Sequence, residues 1–338
     1  MSTINYRPDI DGLRAIAVLG VVLYHLSPIT LPGGFLGVDI FFVISGYLIS
    51  RIVFREMAEG VFSFSAFYAR RIRRLFPALA VVLAATIGFG AFSLFANEYE
   101  RLAKHVSSTI LFLLNFRLMG EAGYFDISSD TKPLLHLWSL SVEEQFYLIW
   151  PVLLVVSHKI RFHAGWMSVV LIVASFAFAL HFSTRNLDAL YFHPLARFWE
   201  LLIGATLAWA HHQGHSSRVV GYLSYGFCRD VCSIVGILII AGAFLFWNET
   251  TIHPGGLTIL PVLGATMLIA SGSAAIVNRL LALKPLVWIG LISYPLYLWH
   301  WPILSYIRIT EFGSPSNMDA LDWRGAFNTA CCNDLLFY

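Results

Sequence analysis

The strongest restriction on this chain is a series of long apolar segments separated by short polar junctions. A helix needs roughly 17–25 mostly apolar residues to cross ~30 Å of hydrocarbon while keeping its backbone hydrogen bonds internal. Nine segments meet that need, near 13–30, 37–54, 76–95, 143–158, 165–182, 195–210, 231–247, 257–277 and 286–307. Only 12% of the 338 residues are charged, about half the ~25% of a soluble domain, and the mean hydropathy is +0.71. The expected fold class is all-α, a polytopic integral membrane protein of about nine transmembrane helices with the lipid bilayer as its main solvent. Lys and Arg total 22 against 20 Asp and Glu, a net charge of +2, so no nucleic-acid partner is expected.

Orientation follows from Lys and Arg, which are retained in cytoplasmic loops. A cytoplasmic N-terminus keeps Arg7, Arg14, Arg51, Arg55, the run Arg70 to Arg74, Lys159, Arg161, Arg218, Arg229, Arg279 and Lys284 inside. Residues 97–139 hold only a short apolar run, Ile110 to Leu114, and are expected to form an outer loop with one interfacial or re-entrant helix. If that stretch spanned, every later loop would invert against the charge bias. The N-terminal flank is mixed in charge and precedes no small-residue cleavage site, so the first segment is expected to stay as a helix. Residues 1–310 read as one transmembrane domain and 311–338 as a weakly structured tail. Cys228, Cys232, Cys331 and Cys332 show neither disulfide-framework nor zinc spacing.

Ionisable side chains inside spans cost at least ~2.5–3.5 kcal/mol near the centre and mark candidate sites. Arg14 and His25 lie eleven residues apart, which on a helix is ~16 Å of rise with ~20° of residual rotation. One stripe would therefore carry a cation at the inner surface and an imidazole deep inside. Asp39 opens the second span at the depth of His25, where it would fix the imidazole's tautomer or cap its own helix. Arg70, Arg71, Arg73 and Arg74, expected in an inner loop, suit a polyanion from the cytosol through bidentate forks, or a lipid headgroup. His136, Ser139, Glu143 and Glu144 cluster where the fourth span begins; the serines and one acid suit a helix start, leaving His136 and the other acid over. His300 sits among Trp and Tyr of an interfacial belt. No Gly-x-Ser-x-Gly elbow, His-Glu-x-x-His or phosphate-binding glycine loop occurs, and the inner-loop group His211, His212 and His215 lacks further ligands, so no metal is expected.

Five ordered runs carry a family resemblance: Tyr6–Val18 (YRPDIDGLRAIAV), Gly34–Ile49 (GFLGVDIFFVISGYLI), Arg70–Pro77 (RRIRRLFP), His136–Tyr147 (HLWSLSVEEQFY) and Ser293–Pro302 (SYPLYLWHWP). Over about residues 6–307 the chain resembles the acyltransferase-3 family of bacterial inner-membrane O-acyltransferases, which includes the O-antigen acetylases. The resemblance implies a multi-pass inner-membrane enzyme taking an acyl group, usually acetyl, from cytosolic acyl-CoA (acetyl-CoA). The acceptor would be a hydroxyl of an extracytoplasmic glycan such as O-antigen, lipopolysaccharide or exopolysaccharide. Arg14 and His25 match the family's Arg-x10-His pattern, and Arg71 and Arg74 its Arg-x-x-Arg pattern, with Arg70 and Arg73 as a second register. Its acidic position falls on Glu143 or Glu144. His25 would act as base or as acyl carrier. Many members continue into an extracytoplasmic SGNH-type domain, and the tail here reads as a truncated or frame-shifted end. The competing functions are a carrier or flippase for an amphiphilic glycan or lipid intermediate, for which two broken helices at matching positions are wanted, and a membrane scaffold with a retired site.

Overall fold

The computed structural model describes residues 6–121, 129–183, 187–213, 226–248 and 252–311. The tail beyond Glu311, with Cys331 and Cys332, lies outside them, as do His215 and Arg218. Among the described residues every regular element is helical: α1 (Pro8–Leu26), α2 (Gly37–Ala58), α3 (Phe64–Ser93), α4 (Ala96–Ile110), α5 (Leu114–Glu121), α6 (Trp138–Lys159), α7 (Ala164–Phe182), α8 (Leu187–Phe192), α9 (Pro194–His212), α10 (Gly226–Phe246), α11 (Ile259–Ser271), α12 (Ile276–Leu281), α13 (Lys284–Leu291) and α14 (Ser293–Glu311). Five helical stretches are long and apolar enough to cross a membrane: Gly34–Ala58, Phe64–Ser93, Leu135–Lys159, Ala164–Phe182 and Gly226–Phe246.

Four local features differ from the sequence reading. The arginine run lies inside α3 rather than in a loop. Ser63 is extended and hands over to helix at Phe64, and arginine is a good helix former. At 30 residues α3 is ~45 Å long, more than the ~30 Å of hydrocarbon, so its arginine end can reach past the apolar core. The expected span 257–277 is divided into α11 and α12 at Gly272, whose φ of +78° ends a helix at little steric cost. The span 286–307 is divided at Ile292 into α13 and α14, where Pro295 cannot return a hydrogen bond to the carbonyl of Leu291. Between 97 and 139, two helices, α4 and α5, stand where one was expected, joined through Phe112 at φ +53°.

The chain forms two compact units, one of Met1–Val61, Phe146–Leu187 and Leu195–Ser293, the other of Phe62–Gln145, Asp188–Pro194 and Tyr294–Tyr338. In the first unit α1 packs against α2, α12 and α13, and α10 against α11. The α2 and α9 backbones touch: a Cβ at Gly46 would collide with the carbonyl of Leu201, and one at Gly204 with that of Val43. Asp39 near the start of α2 meets Arg197 near the start of α9, and Phe54 near the end of α2 stacks on His212 at the end of α9, so these helices run in the same sense. Trp150 of α6 donates its indole N–H to Ser50 of α2 at 2.7 Å, both fully buried.

In the second unit α14 is tied to α3 by two phenols, Tyr306 donating to the carbonyl of Thr86 at 2.6 Å and Tyr294 to that of Leu75 at 3.0 Å. Trp301 donates to the carbonyl of Lys132 at 2.8 Å. Gln145 reaches the carbonyl of Phe112 at 2.7 Å and the side chain of buried Asn115 at 2.8 Å. Each bond satisfies a polar group that burial would otherwise leave costly.

Candidate active site

Helix α1 contains both Arg14 and His25, so the eleven-residue spacing becomes ~16 Å along one face of one rigid rod. Arg14 donates to Asp11 at 3.2 Å, and Asp11 also accepts from the Tyr6 hydroxyl at 2.7 Å. Burial and that hydrogen bond push the Tyr6 phenol up to about 12, which keeps it a donor. His25 is half-buried in the last turn of α1, its ring 5.2 Å from that of Tyr24.

Asp39 is used differently from the sequence reading, which paired it with His25. Its carboxylate accepts from Arg197 Nη2 at 2.7 Å and lies 3.2 Å from His253 Nε2. Glu200, one helical turn after Arg197 on α9, contacts Nη1 of the same guanidinium at 3.2 Å. Asp39, Arg197 and Glu200 have side chains that are 0% exposed, and the guanidinium lies over the ring of Phe42 at 5.5 Å. Sequence reasoning missed Arg197 and Glu200, although two ionisable residues three apart inside the segment 195–210 obey the same rule that flagged His25. His253, in the loop before α11, gave no such signal.

In the second unit Arg71 of α3 binds Glu144 of α6 at 2.9 Å, both largely shielded from solvent. Arg70, Arg73 and Arg74 are exposed on α3, and Glu143 is half-buried beside Glu144. Glu144 thus meets the arginine run at Arg71. The structure also brings together His136, Ser139 and His300. Tyr297 donates to the carbonyl of His136 at 2.9 Å, leaving its oxygen to accept from Ser139 at 2.7 Å. His136 Nε2 donates to the carbonyl of Leu298 at 3.2 Å, and His300 Nδ1 to that of Tyr297 at 2.6 Å. The two imidazoles meet edge to face at 5.3 Å, and both histidines are buried. Tyr297 therefore belongs to this cluster, a contact its motif concealed.

Elsewhere, His211 meets the Tyr47 hydroxyl at 3.0 Å and His212 stacks on Phe54. Among the described residues no three His, Cys, Asp or Glu side chains converge as metal ligands. In the 97–139 region Glu121 is held by His105 at 3.0 Å, Arg117 at 3.2 Å and Lys132 at 3.3 Å. Burial pushes the Glu121 carboxyl up, but the His105 hydrogen bond and the Lys132 charge outweigh it and bring it to about 2.

Comparison with known proteins bears on these residues. A family model described as "Acyltransferase domain" matches residues 7–325. The chain is 34% identical over 323 residues to "Putative peptidoglycan O-acetyltransferase YrhL" of Bacillus subtilis, covering 92% of this chain and 51% of that protein. It is 35% identical over 318 residues to "Putative O-acetyltransferase SAS0844" of Staphylococcus aureus, covering 90% and 52%. With "Peptidoglycan O-acetyltransferase OatA" of Listeria monocytogenes it shares 34% identity over 312 residues, covering 89% and 50%. The chain thus spans about half the length of these relatives. No solved structure matches it.

Proposed function

Because this chain belongs to the acyltransferase-domain family, we propose that it carries an acyl group, usually acetyl, from cytosolic acyl-CoA across a bacterial inner membrane to a hydroxyl of a glycan outside. The observation that supports this reading most is α1, which sets a guanidinium and an imidazole ~16 Å apart on one face of a single helix. That offset suits a donor whose charged nucleotide end and reactive thioester are separated by an extended arm. Arg14 is assigned to the donor's phosphates, as are Arg71 and Arg74, or Arg70 and Arg73 in the other register; planar forks suit phosphate oxygens. Glu144 positions Arg71 through their ion pair.

In the transfer the acceptor hydroxyl loses its proton to His25, its oxygen bonds to the acyl carbon, and the carbon–sulfur bond breaks. The CoA thiolate leaves with the electron pair and takes up the proton. In the other order His25 accepts the acyl group first and then yields it to the hydroxyl. Asp39 is given no part in the transfer, since Arg197 and His253 engage its carboxylate. His136, Ser139 and His300, with Tyr297, are assigned to the acceptor side. The relatives named peptidoglycan O-acetyltransferases make peptidoglycan the first acceptor to assay, ahead of lipopolysaccharide and exopolysaccharide. Nine crossings with the N-terminus inside is the topology that the basic-residue count favours.

A carrier is the second reading, favoured by the breaks at Gly272 and Ile292. Both fall in the second half of the chain, whereas inverted-repeat transporters place them in matching positions of two halves. Purified protein given acetyl-CoA and soluble glycan fragments separates the readings. The acyltransferase yields acetyl ester and free CoA in equal amounts, and His25→Ala yields neither while still binding CoA. Acetyl label on the protein that hydroxylamine removes identifies the acyl-carrier order. Uptake into vesicles without ester formation supports the carrier.

A further inference from the structure

Acyl transfer through His25 makes no use of the buried group formed by Asp39, Arg197, Glu200 and His253. Its charge does not balance as written. Two carboxyls share one guanidinium, Asp39 on Nη2 at 2.7 Å and Glu200 on Nη1 at 3.2 Å, and all three side chains are 0% exposed. With both acids ionised the group would hold a net negative charge away from water, and such a charge is removed by taking up a proton rather than borne.

The geometry distinguishes which acid takes it. Asp39 has the short contact from Arg197 and a second from His253 Nε2 at 3.2 Å. Glu200 has the longer contact only, and neither of its oxygens receives a well-aligned hydrogen bond among the described residues. The other polar group facing Glu200 is the Asp39 carboxylate, an acceptor. Two carboxyls share a hydrogen bond only when one of them carries a proton. Burial, opposed in part by Asp39, holds the His253 imidazole below its ordinary range, which disfavours it as the resident cation. Among the described residues, the charged groups that act on Glu200 are Asp39 from α2 and Arg197 from α9; His253 from the 252–255 loop contacts both of them, Asp39 at 3.2 Å and Arg197 Nη1 at 3.4 Å.

We propose that these four residues form a buried proton-binding site in which Glu200 is the neutral acid and His253 is the group through which its proton exchanges with water. His253 stands on a loop between exposed Ile252 and Gly256, its own side chain 5% exposed. Exchange runs through the ring: water protonates His253 Nδ1, the Nε2–H bond breaks as Asp39 takes that proton, Asp39 and Glu200 trade protons, and Asp39 returns one to Nε2 as the Nδ1 proton leaves to water. No other reactant is consumed.

Infrared spectroscopy of the whole chain in lipid vesicles tests this without turnover, so failure here is separate from failure of the acyl-transfer reading. A neutral carboxylic acid gives a carbonyl band well above the carboxylate bands. The expected band shifts when glutamate is carbon-13 labelled, stays put when aspartate is labelled, and is lost in E200Q. In H253Q it remains, but its shift in heavy water slows at least tenfold. Should E200Q fail to fold, the two labelled wild-type samples and H253Q carry the test. A spectrum with no glutamate-derived acid band, a band that survives in E200Q, or heavy-water exchange unchanged in H253Q would overturn the proposal.

Discussion

Replacing Arg197 by alanine removes the cation from a site where Asp39 and Glu200 are 0% exposed. Breaking a buried pair by deleting one partner leaves an uncompensated charge and costs about 3–5 kcal/mol. At roughly 2–4 °C per kcal/mol for chains of a few hundred residues, the melting temperature should fall on the order of 6–20 °C. The ten tryptophans allow the melt to be followed by intrinsic fluorescence in one fixed detergent. Arg197→Lys keeps the charge but cannot span both carboxyls with a planar fork, so it should lose about half as much. The double change Arg197→Met with Asp39→Leu should recover most of the loss, because apolar replacement of a whole buried pair is often neutral. A shift under ~2 °C in Arg197→Ala would mean that water reaches the group and that the charge-burial argument is wrong.

Gly46→Ala should destabilise by about 1–3 kcal/mol, since the new methyl meets the Leu201 carbonyl and α2 must move off α9; denaturant melts of the purified variant measure it. Trp150→Phe strips the buried Ser50 hydroxyl of its donor and should cost about 1–3 kcal/mol in the same assay. Glu121 has a carboxyl held near 2 against an ordinary 4.5, so its stabilising effect is complete above about pH 4.5 and is lost as pH falls toward 2. Melting temperature should drop through that window in the parent protein, and Glu121→Gln should flatten the Glu121 part of the drop; an unchanged slope would count against the assignment.

Much of this was readable from residue order. The apolar run that follows Arg14 marks a helix in the sequence, and a helix is all that Arg14 and His25 need to share a face. The arginine run misled because basic residues beside a span look like a loop, whereas α3 is simply longer than the hydrocarbon and keeps them helical. The breaks at Gly272 and Ile292 depend on single backbone angles and one proline, which a hydropathy window averages away. Asp39 was found but given a neighbour in sequence, because the true partners, Arg197 and His253, lie 158 and 214 residues away. Tertiary pairing of that kind leaves no local trace. The pair of Arg71 with Glu144 joins positions 73 residues apart, which no local pattern marks.

On the proposed route an acyl group enters at the Arg14 end of α1 and leaves from the His25 end. Sealed vesicles containing the protein, loaded internally with radiolabelled acetyl-CoA and bathed externally in glycan, test it directly. Alkali-labile label should accumulate on the outer glycan with wild-type protein and be absent with His25→Ala. Equal labelling by the His25→Ala protein, or labelling only when acetyl-CoA is placed outside with the glycan, would contradict the account.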